Sequence, residues 1–251
     1  MESKYVNSVS RAIDILYCFD YETPSLKLSN ISDKVQLSTS TVHRLLSTLE
    51  KKQMVIHDQQ TQEYCLGPKL LLLSEVFLEN MEIRKIALPE LRKLNKETNE
   101  TVELNIVEGG ERVCIEQLPS TEVIRNFVRV GSRNSLFESS SGKSLLANME
   151  YEEINKIIET EIGLFPHITE HKLKQDLDDI KSQGYAVSIE ERIPGAFSVS
   201  APLKNHKGKL IAGITVAGPM QRYNEANLSN IIKYLLVSSQ EISCKLGYKS
   251  D

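Results

Sequence analysis

Cysteine is scarce in this 251-residue chain and poorly placed for chemistry: Cys18, Cys65, Cys114 and Cys244 are spread over the whole length, with no C-x-x-C pair and no histidine at metal-ligand spacing. They read as reduced thiols, not a disulfide framework or a zinc site. Long apolar runs are missing too. Leu70 to Leu73 and Ile231 to Val237 fall far short of the ~20 residues of a bilayer helix, and Met1 to Asp20 lacks the basic, apolar, small-residue order of a signal peptide. The expected location is the cytoplasm. Neither charge sign dominates: 30 Lys and Arg against 34 Asp and Glu leave a net charge of -4. That balance argues against a protein that coats nucleic acid through its overall field, but it does not exclude a local basic stripe.

Signals for enzymatic chemistry are also thin. No G-x-S-x-G nucleophile elbow occurs. Gly142-Lys143-Ser144 has the end of a phosphate-binding loop, yet the position of its first glycine is Phe137. His167 and His171 stand four apart with a helix-capping residue, Thr169, between them, so they do not share a helical face. Glu190-Glu191-Arg192 sits on a strand, where adjacent residues point to opposite faces, and reads as a solvated charge cluster. No enzyme activity, cofactor or metal is expected.

With 40 % hydrophobic and 25 % charged residues, the chain has the composition of an ordinary globular protein of one large domain or two modest ones, without repeats or low-complexity tracts. Val9, Ala12, Ile13 and Leu16 recur at i, i+3, i+4, i+7, one face of a helix that Ser8 would cap. After the breaker at residues 22–25, Leu28, Ile31 and Val35 mark a second helix. Gln36-Leu37 is a turn, and Ser38 caps a third helix from Thr39 to about Lys52. Val42, Leu45, Leu46 and Leu49 form its apolar face. Ser40, Arg44, Ser47 and Lys51 therefore lie opposite, flanked by Thr41 and His43. Two extended runs, Met54 to His57 and Glu63 to Leu66, enclose a polar turn and read as a hairpin. Three helices and a hairpin make a winged helix-turn-helix. Gly67-Pro68 ends it and opens a helix so apolar (Leu70 to Leu73, Val76, Phe77, Leu78) that it either packs on its own domain or pairs with a second subunit.

A further helix carries Ile86, Pro89, Leu91 and Leu94, and at Asn99 the pattern turns from helical to alternating. Thr101 to Val107, Arg112 to Leu118 and Val123 to Val130 predict three consecutive antiparallel strands, the first pair joined by Gly109-Gly110. Residues 131–141 read as loop and Gly142 to Asn148 as a helix. Thr169 caps another helix, which Gly184 stops. Strands Tyr185 to Glu190, Phe197 to Leu203 and Lys209 to Ala217 precede a final helix over Glu225 to Leu246. The fold class is α+β, an antiparallel sheet with helices segregated around it, of the kind seen in sensor domains.

The third helix suits major-groove readout, which needs hydrogen-bonding and basic side chains on the first turns of a helix. Ser38, Thr39 and Ser40 are placed to meet phosphate at its N-terminus. Residues 8–16 (SVSRAIDIL), 40–49 (STVHRLLSTL) and 64–68 (YCLGP) resemble the N-terminal signature of the IclR family of bacterial transcription regulators. The likeness continues through Gly142-Lys143, Gly184-Tyr185-Ala186-Val187, Glu190-Glu191, Gly195 and Gly218-Pro219. The resemblance implies a winged-helix DNA-binding domain over 1–67, a linker helix over 68–84 and a GAF-like effector-binding domain over 85–251. It also implies dimers or dimers of dimers. The implied partners are double-stranded operator DNA and a small metabolite.

On this reading Arg11, Ser38, Thr39, Ser40, Thr41, His43, Arg44, Ser47 and Lys51 are the DNA-binding candidates. By resemblance the effector pocket maps to Ser140, Ser141, Ser188, Ala196, Ser198, Thr215 and Ala217, a small polar set that favours a small oxygen-rich ligand, a carboxylate first. Phe197 or Leu136 would narrow it. Read from the residues alone, the run 139–142 is either an anion-binding loop before a helix or a serine turn that caps its own helix. The chain departs from the family at Thr39, where lysine is frequent, and at Gln62, Glu63 and Cys65, where the wing commonly has glycine and arginines. It departs again at Leu136-Phe137-Glu138, which replaces a proline-leucine-histidine approach. Residues 1–67 hold seven basic residues against eight acidic ones, so affinity has to come from a few placed cations and from dimerisation. The function expected is a sequence-specific regulator, a repressor, under metabolite control. The alternative is a small-molecule-binding or catalytic α+β domain whose helical N-terminus serves protein association.

Overall fold

The computed structural model describes residues 6–249, which form two compact units divided between Asn80 and Met81. The first unit contains α1 (Asn7–Leu16), β1 (Ser25–Lys27), α2 (Leu28–Val35), α3 (Thr39–Lys51), β2 (Val55–Asp58), β3 (Glu63–Leu66) and α4 (Lys69–Asn80). Ile15, Phe19, Leu26, Ile31, Val42, Leu46, Leu49, Val55 and Tyr64 close its core.

Two sequence expectations need correction in this unit. α1 starts with Val6 as its N-cap and holds Ser8 inside the helix; no side chain caps it. The helix is rotated so that Ile15 enters the core, with Ala12 and Leu16 beside it, while Val9 and Ile13 are 56 % and 42 % exposed. Continuation of the buried face into Phe19 sets that rotation. Second, the hairpin gains a third strand: β1 pairs antiparallel with β3, Leu26 opposite Tyr64, giving the order β1-β3-β2. Three residues are too few to show alternation. The expected capping of α3 is present, since Ser38 Oγ accepts from the Thr41 amide at 3.4 Å, and α2 ends at Gln36 in the left-handed region. α4 has no buried residue; Leu71, Leu72, Leu73, Val76 and Phe77 are all exposed.

The second unit contains α5 (Glu82–Thr98), β4 (Thr101–Glu108), β5 (Glu111–Leu118), β6 (Arg133–Asn134), α6 (Ser139–Leu146), α7 (Tyr151–Glu161), α8 (Glu170–Gln183), β7 (Ala186–Ile189), β8 (Ala196–Lys204), β9 (Leu210–Pro219) and α9 (Glu225–Lys245). The segment 68–84, expected as one linker helix, thus holds α4 and the first residues of α5. The strands form one antiparallel sheet in the order β6-β5-β4-β9-β8-β7. Alternation along them gives the sheet two unlike faces. Val102, Leu104, Val199, Ala201, Ile214 and Val216 are buried on the apolar face, which carries α5 and α9. Glu103, Asn105, Ser198, Ser200 and Thr215 share the other face with α6.

The third expected strand is absent. Residues 123–130 are irregular, Val123 is 93 % exposed, and the two-residue β6 takes the place beside β5. Two side chains bind carbonyls of this segment that a ladder would otherwise use: Arg222 Nη1 donates to Ile124 O at 2.8 Å, and Thr101 Oγ1 donates to Asn126 O at 2.6 Å. α6 starts three residues before the expected Gly142, so Ser139, Ser140 and Ser141 form its first turn instead of a preceding loop. α7 and the short 3-10 turn Ile162–Leu164 were not anticipated, although Ile154, Ile157 and Ile158 have helical spacing. α8 begins and ends as expected, with Thr169 Oγ1 accepting from Lys172 N at 3.3 Å and Gly184 left-handed at φ 83°.

Gly142 lies so close to the preceding segment that a Cβ there would stand 2.8 Å from the carbonyl oxygens of both Ser135 and Leu136. Backbone cannot yield as a flexible side chain does. Gly142→Ala is therefore expected to destabilise the second unit by about 1–3 kcal/mol in urea unfolding. Gly163→Ala, where the added carbon meets open space, should stay within about 0.5 kcal/mol of the parent.

Candidate functional site

Two regions carry functional geometry, one in each unit. In the first, α3 shows solvent a continuous polar face. Ser38, Thr39, Ser40, His43, Arg44 and Lys51 are exposed, Thr41 and Ser47 are half-buried, and Arg11 is exposed on α1. Several hydroxyls are already engaged: Ser38 Oγ lies 3.1 Å from Ser40 Oγ and 2.9 Å from Thr41 Oγ1, and Ser47 Oγ donates back to His43 O at 2.9 Å. Arg44 and Lys51 form no ion pair among the described residues. Their charge is therefore not neutralised within the unit. The wing tip is held by Asp58, whose Oδ1 accepts from the amides of Gln60 at 2.7 Å and Thr61 at 3.3 Å; these bonds hold its carboxyl below the ordinary range.

In the second unit a cavity of about 260 Å³ opens on the polar side of the sheet. Of the seven residues expected at an effector pocket, Ser141, Ser188, Ala196, Ser198, Thr215 and Ala217 line it; the β7–β8–β9 register sets Ser188 opposite Ser198 and Ser198 opposite Ala217, and α6 supplies Ser141. Ser140 stays off the wall. It is fully buried beneath it, donating to Ser198 Oγ at 2.7 Å and bonding Ser200 Oγ at 2.9 Å. Its neighbour Ser139 lines the cavity in a left-handed conformation (φ 67°), its Oγ 3.0 Å from Ser141 Oγ. Of the two residues expected to narrow the cavity, Phe197 lines it, and Leu136 is buried in the separate core between α6, α7 and α8.

Four charged residues outside the expected set also reach this cavity, two of them, Glu191 and Arg192, from the cluster expected to be solvated. Glu103 lines it from β4 while 3 % exposed, and Arg125, Glu191 and Arg192 line it from loops. Arg112, 1 % exposed, lies behind Glu103: its Nη1 donates to Glu103 Oε2 at 3.3 Å and to Asn105 Oδ1 at 2.6 Å. Burial pushes the Glu103 carboxyl above its ordinary range, against the pull of Arg112, Asn105 and Arg192. Nearby, burial and then the Glu103 charge push the Cys114 thiol up to about 12, which leaves it unreactive. Arg192 is half-buried, not solvated as expected for the cluster 190–192. Its Nε has no partner, its Nη1 donates to Asn134 Oδ1 at 3.1 Å, and desolvation, helped by the Arg112 charge, lowers its pKa. Glu191 is neutralised by Lys143 at 2.9 Å, and Glu103 by Arg112. Arg125 and Arg192 form no ion pair among the described residues, so the cavity wall carries a positive excess suited to an anion.

Other motifs fall elsewhere. Gly142-Lys143-Ser144 lies inside α6, with the lysine committed to Asp176 and Glu191. His167 Nε2 lies 3.3 Å from Glu138, and among the described residues no group of three or more metal-binding side chains occurs. No helix of the described residues is long and apolar enough to cross a membrane. Thr101, Glu103 and Asn105 alternate with Val102 and Leu104, so a strand with one polar face was visible in the sequence, but its partners Arg112 and Thr215 were not.

A helix-turn-helix with an exposed polar face whose Arg44 and Lys51 form no ion pair among the described residues, joined in one chain to an α+β unit with a ligand-sized cavity, defines the class of DNA-binding transcriptional regulators. Two family models match the chain: the IclR helix-turn-helix domain over residues 8–59 and the C-terminal domain of bacterial transcriptional regulator IclR over 76–244. Among curated relatives, the transcriptional regulator BhcR of Paracoccus denitrificans (strain Pd 1222) is 32 % identical, covering 100 % of this chain and 91 % of its own. The transcriptional repressor AllR of Escherichia coli (strain K12) is 29 % identical, covering 98 % and 93 %. The crystal structure of the Thermotoga maritima IclR superposes with a TM-score of 0.77 at 29 % identity, covering 97 % of this chain and 100 % of that one. The chain belongs to the IclR family of helix-turn-helix transcriptional regulators, in which the C-terminal domain is the effector-binding part.

Proposed function

We propose that this regulator is a cytoplasmic repressor that binds a two-fold operator as a dimer or dimer of dimers through α3, and that a small carboxylate in the cavity of the second unit sets its affinity for DNA. Residues 1–67 act as the DNA-binding part, 68–84 as the linker and 85–251 as the GAF-like effector part. One observation supports the effector reading most: six of the expected residues line a single cavity, whose wall also carries the unpaired guanidinium groups Arg125 and Arg192. At about 260 Å³ it is smaller than the ~300–1,000 Å³ of pockets for drug-sized ligands, which fits a small organic acid. The repressor assignment follows AllR, a relative named as one.

The recognition face supplies few cations, so one unit would hold DNA weakly, and pairing places two copies of α3 on successive half-sites of one duplex. α4 is suited to that pairing because its apolar side chains are uncovered within its own unit. A ligand shifts DNA affinity only by its differential affinity for two arrangements of the dimer, typically ~1–3 kcal/mol.

Three outcomes are expected. Arg44→Ala should weaken operator binding by about 1–3 kcal/mol in fluorescence anisotropy, with unchanged circular dichroism; undiminished affinity would remove α3 as the reader. Phe77→Asp should shift the sedimentation profile from dimer toward monomer and weaken operator binding with it, and a dimer that persists would place the interface elsewhere. Ser198→Phe should fill the cavity and abolish the shift in operator affinity produced by an organic acid found in a thermal-shift screen, while ligand-free operator binding stays near the parent value. An unaltered dose response would move the effector to another site.

A further inference from the structure

Glu103 is an unusual wall for an anion site. A carboxylate ligand packed against it would be repelled, yet the residue is held in place by a buried network that runs from Arg112 through Asn105 to Thr215, Ser200, Ser140 and Ser198. Within that network only one carboxylate oxygen is used: Oε2 accepts from Arg112 at 3.3 Å and from Asn105 at 3.4 Å. Among the described residues Oε1 has no hydrogen bond, and it is not sealed from the cavity. Asn105 is likewise committed, its amide nitrogen reaching both Glu103 and Thr215 and its oxygen bonded to Arg112. Glu103 therefore cannot rotate away from the cavity without breaking bonds behind it.

We propose that Glu103 is a specificity-determining residue: its Oε1 accepts a hydrogen bond from a hydroxyl or N–H of the effector, so the site selects a small acid that also bears a donor, a hydroxy acid before its deoxy counterpart. Resting on the reading of this cavity as the effector site, the proposal orients the ligand. The acid group lies toward Arg192 and Arg125, whose charges are not paired, and away from Glu103; the donor group points at Oε1; the carbon skeleton meets Phe127, Ile193 and Phe197. A deoxy acid that displaces water from Oε1 leaves that carboxylate oxygen without a partner, and that loss, more than any gain for the correct ligand, makes the discrimination.

The test is isothermal titration calorimetry of the full-length protein with matched acids: lactate and propionate, malate and succinate, 4-hydroxybenzoate and benzoate, gluconate and hexanoate. At least one hydroxy acid should bind, and its deoxy partner should bind on the order of tenfold more weakly or worse. Glu103→Gln should bring that ratio toward unity, because the deoxy acid gains from the loss of a nearby negative charge while the hydroxy acid also loses its charged acceptor. Because this change strands a buried guanidinium, the double variant Glu103→Gln, Arg112→Leu supplies a second measurement, and it should show the same loss of preference. Equal binding of both partners by the parent, abolished for both by Ser198→Phe, would keep the cavity as effector site and overturn the role of Glu103. Binding that survives Ser198→Phe would instead overturn the cavity reading itself. No saturable binding of any hydroxy acid would remove the ligand class.

Discussion

The second unit depends on burying a polar sheet face. Glu103, Asn105, Arg112, Ser200 and Thr215 would each oppose folding if enclosed alone, since an unpaired buried polar group costs about 1–3 kcal/mol and an ion more. They are tolerated because adjacent strands set them within reach of one another: Arg112 of β5 bonds Glu103 and Asn105 of β4, Asn105 bonds Thr215 of β9, and Thr215 bonds Ser200 of β8. Ser140 then ties this face to α6 through two hydroxyl bonds. The helix thus reaches the sheet through hydrogen bonds at its first turn and through apolar packing further along, where Leu145 meets Gly213. The cavity lies beside that first turn, where polar groups outnumber the partners available to them.

The first unit solves a different problem. Its core is small and fully apolar apart from Ser32, and its functional surface has to stay outside. Capping by Ser38 fixes where α3 begins, and β1 adds a third strand that braces the wing from the side opposite β2. What the unit lacks is cover for α4, and that lack connects a local packing fact to assembly.

How far the sequence could be read depended on where each partner lay. α3, α8 and the β8–β9 hairpin were legible because their signals are local: Ser38 and Thr169 as caps, Gly184 as a stop, and the Asn205–Gly208 turn between alternating runs. The segment 123–130 was misread because it is rich in Val, Ile and Phe, as strands are, while its backbone carbonyls are held by Arg222 and Thr101, distant in the chain. α7 was overlooked although its period was present. Family resemblance located Ser141, Ser188, Ser198 and Thr215, and the register brings them to one wall. Glu103 escaped notice and Arg192 was read as solvated because their significance lies in charge balance: which cations are paired, and which are not, is a property of the folded chain.

The two faces of the sheet also shape how such a protein can change over time. Residues that hold α5 and α9 alternate along the same strands with residues that line the cavity. Substitutions on one face are therefore largely insulated from the other, and ligand preference can drift among paralogues while the scaffold persists. On the polar face, drift is not free. Losing the charge of Glu103 leaves Arg112 stranded, and losing Asn105 leaves both without their bridge. Viable routes to a new specificity must pass through compensating exchanges on adjacent strands, so divergence at this site is expected to be epistatic, with positions 103, 105, 112 and 215 changing as a set.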